Sequence, residues 1–184
     1  FHESMNMAAR WKLPLVFLIE NNQYGMGTDV QRVAAVKELK DRGLAYDGLT
    51  SIDVDGMDVL AVRQVVEEAI DRGRTEKLPT FIEAKCFRYM GHSMADPSHG
   101  TYRTKEEVEK WRSHDPILGF SQLMIDAGRL TEEEYDEIDQ EMITVCEAAA
   151  EFADNSPFPD HDTIYQYIYS DRYPDDLRRR DAWR

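Results

Sequence analysis

Residues 15–28 read LVFLIENNQYGMGT. Five apolar residues, from Leu15 to Ile19, run into Glu20-Asn21-Asn22, and a Gly25-Met26-Gly27 turn follows. A short continuous apolar run bounded by turn residues predicts a strand buried on both faces, as in a parallel sheet. In open α/β sheets, ligands bind just beyond the carboxyl ends of such strands. Asn21, Asn22 and Tyr24 stand at that end. Amide and backbone oxygens there suit a hard cation such as Mg2+ and a phosphate that accompanies it. Asparagine also tolerates left-handed backbone, so the pair by itself reads as a plain turn as well.

Upstream, residues 2–11 predict a helix that runs into Pro14. Phe1 is not an initiator methionine, and FHESMNMAARW reads as mid-helix, so the chain is expected to begin inside a larger domain. Downstream, residues 22–29 form a loop, and residues 33–43 predict a short helix with Gly43 as its C-cap. Residues 49–54 predict a strand ended by the Asp55-Gly56 turn. Asp58 caps a helix to about Arg72, with Val59, Val62, Val66 and Ile70 at helical spacing, and Gly73 is expected to end it. Residues 80–87 predict a third strand. Two successive strand–helix–strand passages imply parallel pairing through right-handed crossovers, and so an α/β fold.

Residues 88–103, RYMGHSMADPSHGTYR, show no periodicity. A loop of this length in a compact domain is functional or disordered. The chain then turns helical. Thr104 with Glu107, and Thr131 with Glu134, have the spacing of capping boxes. Tyr135, Ile138, Met142, Val145, Ala149 and Phe152 share one helical face, expected to pack, opposite an acidic solvated face. Residues 155–160, with Pro157 and Pro159, read as a linker. Residues 163–170, with Tyr165, Tyr167, Ile168 and Tyr169, predict a strand or an arm laid on a partner. Arg178, Arg179 and Arg180 read as a frayed end. The expected division is 1–103 and 104–184, the second a helical extension and tail of the same domain.

Of 184 residues, 22 are Lys or Arg and 36 are Asp or Glu, a net charge of -14. That balance argues against nucleic-acid binding and against a basic membrane-surface role. No apolar run approaches the roughly 20 residues of a membrane span. Cys86 and Cys146 are far apart with no Cys-x-x-Cys spacing. This excludes zinc-ribbon and disulfide scaffolds and points to buried thiols in a reducing compartment.

Of the five histidines, His92 is the catalytic candidate because it lies in the long loop after a strand. A lone loop histidine also reads as merely solvated. His99 sits beside Gly100 at a loop tip, and His114 precedes the Asp115-Pro116 turn. His2 and His161 have no supporting neighbours. No zinc-protease or serine-hydrolase motif occurs. Gly25-x-Gly27 lacks the third glycine and the following helix of a dinucleotide fingerprint.

Three separated blocks, NMAARWKLPLVFLIENNQYGMGT, VDGMDVLAVR and RYMGHSMADPSHGTYRTKEEVEKWRSHDPI, together resemble one family. It comprises the alpha subunits of thiamine diphosphate-dependent 2-oxo acid dehydrogenases, the decarboxylating components of the pyruvate, branched-chain and acetoin complexes. The resemblance implies a partial thiamine diphosphate-binding fold, a parallel sheet with a C-terminal helical extension, in which 1–103 would be the C-terminal half of the diphosphate-binding domain. In the family a Gly-Asp-Gly stands upstream of the Asn pair, and this chain begins after it. Asn22 would then give its side-chain oxygen to Mg2+ and Tyr24 its backbone carbonyl, while Gly25 admits the diphosphate. Glu20 and Asn21 support the loop. His92 matches the family histidine near the diphosphate and the reacting carbon. Arg88, Asp96, Tyr102 and Arg103 match positions that order the loop by ion pairs and hydrogen bonds. Ser93 matches the regulated phosphorylation serine of mitochondrial members. Thr101 falls near their second site, where the spacing departs around His99.

The implied activity is oxidative decarboxylation of a 2-oxo acid with reductive acylation of a lipoyl group, the cofactor acting as electron sink. Gly91-His92-Ser93-Met94 with Asp96-Pro97 looks closest to the pyruvate members. Acetoin or a branched-chain 2-oxo acid is the alternative within the class, and a non-catalytic interaction module is the rival outside it. The implied partners are a beta subunit, which carries the activating glutamate, in an assembly of two alpha and two beta chains, and a lipoyl-bearing dihydrolipoyl acetyltransferase. The implied compartment is the cytoplasm of a bacterium or the mitochondrial matrix of a eukaryote.

Overall fold

Strand β5 (Thr80–Lys85) lies between β1 (Val16–Asn21) and β4 (Thr50–Asp55) in a three-stranded parallel sheet of order β1-β5-β4. The computed structural model describes residues 1–165. Leu18 and Ile52 both stand opposite Ile82, so the three strands are in step. Helix α1 (His2–Trp11) and helix α3 (Val59–Glu76) belong to opposite faces of this sheet. Met5 and Ala9 of α1 pack with Leu49 and Phe81. Ala69 of α3 packs with Val54, Ile82 and Ala84. The alternation of a strand sends Phe81 and Glu83 to the first face and Ile82 and Ala84 to the second. The α/β parallel-sheet reading therefore holds.

β1 is not buried on both faces as expected. Its exposure alternates along the strand, and Val16 and Leu18 are 41% and 44% exposed. Within this chain β1 has a strand partner on one side, while β5, with partners on both sides, is buried from Thr80 to Ala84.

A short hairpin of β2 (Tyr24–Gly25) and β3 (Thr28–Asp29) follows β1. Asp29 caps the single turn α2 (Val30–Val33), accepting from Gln31 N at 2.7 Å. The helix expected over residues 33–43 does not form. The chain extends at Ala34 and then makes a 3₁₀ segment, Leu39–Ala45. Gly43 is no C-cap. A Cβ there would stand 2.6 Å from Ser51 Oγ, so glycine is needed because this segment crosses β4 at close range. Helix α3 starts as expected, with Asp58 accepting from Leu60 N and Ala61 N. It continues through Gly73 to Glu76, with Gly73 facing Pro14 and left-handed Lys77 as its cap.

Helix α4 (Lys105–Arg112) is capped by Thr104, which accepts from Glu107 N at 3.1 Å. Asp115 and Pro116 open a helix rather than a simple turn. Asp115 caps α5 (Pro116–Asp126), with Pro116 in its first turn. Compact units run from Phe1 to Thr131 and from Glu132 onward. The second contains α6 (Glu132–Asn155), on which Ile138, Met142, Val145 and Phe152 are exposed, and a 3₁₀ turn, His161–Tyr165. Cys146 is exposed and Cys86 half-buried, against the expectation of two buried thiols. Cys146 lies on the exposed helix α6, whereas burial pushes the Cys86 thiol up. Tyr167, Ile168, Tyr169 and Arg178 to Arg180 lie outside the described residues. Among the described residues no helix is long and apolar enough to cross a membrane.

On the outer part of β4, Lys40 Nζ donates to Asp53 Oδ1 at 2.5 Å. Lys85 Nζ donates to Asp53 Oδ2 at 3.0 Å and to Glu38 Oε2 at 2.5 Å. The hydrogen bonds from Lys40 and then Lys85 hold the Asp53 carboxyl at about 2. Because this value lies below the ordinary one, the native state favours the carboxylate. The stabilisation is complete above about pH 4 and is lost as the pH falls to about 2. Asp53 is one-third exposed, and solvent screening limits the gain to about 1 kcal/mol. Asp53→Asn should thus lower the melting temperature at pH 6, and the gap to wild type should close toward pH 2. A gap that stays constant across this range in thermal melts would refute the assignment.

Candidate functional site

The carboxyl end of β1 becomes the site loop through a relay of side chains onto backbone. Asn21 Oδ1 accepts from Gln23 N at 3.1 Å, and Asn22 Oδ1 accepts from Tyr24 N at 3.1 Å. Gln23 has a φ of 72°, in the left-handed region. This reverses the chain and starts the β2–β3 hairpin. Asn21 is 7% exposed and Asn22 is half-buried. Asn21 O accepts from Cys86 N at 3.0 Å, which ties the loop to the end of β5.

The second stretch is the long loop of residues 88–103. Arg103 organises it from inside. It is 3% exposed and donates to four backbone carbonyls: Ser98, Arg88 at 2.5 Å, Tyr89 at 3.3 Å and Met90 at 2.7 Å. Its guanidinium also lies 5.4 Å from the ring centroids of both Phe87 and Tyr102. Asp96 closes the tip. Its Oδ2 accepts from Tyr102 Oη at 2.6 Å and from His92 N at 2.7 Å, and these bonds hold its carboxyl below the ordinary range. Gly91 is required here, because a Cβ would stand 1.7 Å from Asp96 O.

The two stretches meet. Arg88 Nη2 donates to Met26 O at 2.8 Å and to Tyr102 Oη at 3.0 Å. The Tyr24 and Tyr102 rings lie 5.4 Å apart. Tyr24 Oη donates to Glu107 Oε1 at 2.8 Å, and burial, followed by that bond, pushes the phenol up to about 12. Glu107 therefore does not reach back to cap α4; only half of the expected capping box forms.

Asn22, Tyr24, Gly25, Arg88, Asp96, Tyr102 and Arg103 thus belong to one connected region. His92 and Ser93 are exposed at its loop tip. The His92 imidazole has no bonding partner among the described residues. The loop is ordered by hydrogen bonds rather than by the expected ion pairs; among the described residues neither Arg88 nor Arg103 makes a salt bridge. Two participants escape the sequence reading. Glu107 has the local signature of a helix cap. Glu83, wholly buried, accepts from Asn21 Nδ2 at 2.6 Å and from Lys40 N at 2.7 Å. Its signal is a lone charge in the middle of the apolar run TFIEA.

The donor set fits magnesium and a diphosphate in part. Asn22 Oδ1 has a second lone pair beyond the one Tyr24 N uses, and an amide oxygen suits a hard cation. A Cβ on Gly25 would meet only Thr28 O, at 4.0 Å, so the bare backbone leaves room for a ligand at close approach. Among the described residues no cluster of three or more His, Cys, Asp or Glu could hold a metal. A metal held at Asn22 would need further ligands beyond the described residues.

A cavity of about 490 Å³ opens elsewhere at the carboxyl ends of β4 and β5, lined by Asp53, Asp55, Lys85, Lys110, Trp111 and His114 among others. It includes none of the predicted site residues.

Comparison with known proteins shows the family. The pyruvate dehydrogenase E1 component subunit alpha of Rhizobium meliloti is 44% identical over 168 residues, 91% of this chain and 47% of the relative. The protein of the same name from Porphyra purpurea is 40% identical over 171 residues, 93% of this chain and 49% of its own length. The somatic mitochondrial form from Homo sapiens is 42% identical over 182 residues, 98% of this chain and 46% of its own length. The chain spans about half the length of the curated relatives it matches. The family described as dehydrogenase E1 component matches residues 1–162, and the chain belongs to that family.

Proposed function

We propose that this chain is the C-terminal part of the alpha subunit of a thiamine diphosphate-dependent pyruvate dehydrogenase. It would act with a beta subunit, in an assembly of two alpha and two beta chains, to decarboxylate pyruvate and acetylate lipoyl groups of a dihydrolipoyl acetyltransferase. The supporting observation is the junction of the strand-end loop with the His92 loop through Arg88, Met26 and Tyr102. The names of the relatives favour pyruvate over acetoin or branched-chain substrates, and favour an enzyme over a non-catalytic module. The compartment would follow the source, cytoplasm for a bacterium and matrix for a mitochondrial form.

Asn22 Oδ1 and the Tyr24 carbonyl would hold Mg2+, and Gly25 would lie along the diphosphate. Bound there, thiamine diphosphate would supply the nucleophilic carbon and the electron sink for decarboxylation. The His92 imidazole would donate a hydrogen bond or proton where charge develops on the substrate. Asp96 holds the His92 backbone at the loop tip. Ser93 would be a point of control. Asp96 belongs to the same turn, its backbone N donating to Ser93 O at 3.0 Å. A phosphate would bring about -1.5 to -2 charges beside that carboxylate. Arg103, sequestered among carbonyls, is not available to neutralise it.

In the full-length enzyme, Asn22→Ala should weaken Mg2+ and cofactor binding together by roughly 1–3 kcal/mol, as for a polar partner left unpaired. Unchanged cofactor affinity in calorimetry at low Mg2+ would remove Asn22 from the metal site. His92→Ala should abolish turnover and keep cofactor affinity within about tenfold, the pattern of a group that acts in the transition state. Normal acyl transfer to lipoamide would reduce His92 to a loop residue. Ser93→Glu should lose lipoyl acylation and gain protease cleavage within residues 88–103, with Ser93→Ala largely active. Equal activity and protease resistance in the two variants would exclude Ser93 from control of the loop.

A further inference from the structure

We infer that Glu83 is a positioning residue for the metal loop: its buried carboxylate sets the orientation of the Asn21 amide, and through it the turn that aims Asn22 and Tyr24. The inference rests on the reading of Asn22 and Tyr24 as magnesium ligands.

Glu83 has no exposed surface and stands on the central strand between Ile82 and Ala84. A carboxylate in such a place is costly, and a well-packed apolar side chain would serve the core as well or better. Its bonds show what it does instead. Oε1 accepts from Asn21 Nδ2 at 2.6 Å and Oε2 from Lys40 N at 2.7 Å. A carboxylate only accepts hydrogen bonds. The NH2 group of Asn21 must therefore face Glu83, and its Oδ1 must face the other way. There Oδ1 accepts from Gln23 N at 3.1 Å. Were the amide reversed, its NH2 would confront that N–H, donor against donor.

Gln23 is where this matters. Its φ of 72° is costly for a residue with a side chain and persists only when surrounding bonds over-determine it. Three do so. Its N donates to Asn21 Oδ1, its Nε2 donates to Asn21 O at 3.1 Å, and its carbonyl accepts from Val30 N at 2.9 Å. Two of the three use Asn21, and Glu83 holds Asn21. Asn22 and Tyr24 flank Gln23 directly, and Tyr24 N donates to Asn22 Oδ1. A released Gln23 would swing both candidate ligands. The short bond to a charged acceptor is stronger than a neutral one, which explains why a carboxylate and not an amide occupies this position.

The test uses the full-length alpha subunit assembled with its beta subunit. Calorimetric Mg2+ titration with thiamine diphosphate present is paired with hydrogen exchange over residues 21–24. Glu83→Gln allows the introduced amide to point its NH2 at Asn21. It should raise the Mg2+ needed for half-saturation at least tenfold and speed exchange at the Gln23 amide. The double variant Asn21→Asp with Glu83→Gln reverses the bond, keeps the total charge and satisfies every partner. It should return both readouts to within threefold of wild type. The rescue ties both readouts to the bond between positions 21 and 83. Wild-type Mg2+ demand and exchange in Glu83→Gln overturn the inference, as does an unrescued double variant. Failure of both variants to assemble assigns Glu83 to the fold and overturns it too. Asn22→Ala separates the two readings. If it weakens Mg2+ binding while Glu83→Gln changes nothing, only the positioning role is lost. If Glu83→Gln speeds exchange while neither variant alters Mg2+ demand, the metal reading fails and the loop-positioning role stands.

Discussion

Strand β5 is covered on both faces, and that constraint places most of the first unit. From Thr80 to Ala84 it shows almost no surface, so each face needs its own cover. Phe81 recruits α1 through Met5, and Ile82 with Ala84 recruits α3 through Ala69. Both neighbouring strands run parallel to β5, so their carboxyl ends open on the same edge of the sheet. The loops after β1 and β5 emerge there, and these are the two loops that build the candidate site. Cys86 N to Asn21 O, at 3.0 Å, continues the ladder for one more bond and brings them out side by side.

Beyond the ladder the site is held by polar groups, and Arg103 supplies four of the bonds. An arginine buried among aromatic rings would be costly if its donors were idle. Here the donors reach four carbonyls of residues 88–98, while the Phe87 and Tyr102 faces receive the charge. The loop has no secondary structure of its own, so its carbonyls need such a partner. Guanidinium geometry suits this role, because a planar fork serves several acceptors at once, which a lysine ammonium does not. The interior of the loop is thereby fixed, while His92 and Ser93 stay at the surface.

The sequence carries the α/β class and the start of nearly every long element, because apolar periodicity and capping residues are local signals. Asp58 and Thr104 cap where their types predict. It fails where a distant contact overrules a local preference. Gly43 has the look of a helix C-cap, yet its bareness serves the approach to Ser51. Gly73 resembles a stop signal, yet it lies inside a helix that faces Pro14. The apolar run before Asn21 reads as doubly buried, but edge or centre depends on strand order, which no local window contains. The candidate site residues come from motif resemblance, and the structure brings most of them into one region. What no motif contains is the connection between them. Glu83 and Glu107 act on residues 62 and 83 positions away, Asn21 and Tyr24.

Glu107 shows how one such connection changes the meaning of a local pattern. Thr104 and Glu107 have the spacing of a reciprocal cap, and the threonine half forms. The glutamate has a choice between the backbone at Thr104 and the Tyr24 phenol, and it takes the phenol. Burial pushes that phenol up to about 12, so across the neutral range Tyr24 is a donor and Glu107 its acceptor. The bond fastens the start of α4 to the hairpin that follows Asn22. The adjacent Phe87–Trp111 stack, 5.2 Å between centroids, fastens the other end of α4 to the start of the long loop. Helix α4 is therefore anchored at both ends to the chain segments that flank the site. A shift of α4 would strain the Tyr24–Glu107 bond and the Phe87–Trp111 stack together.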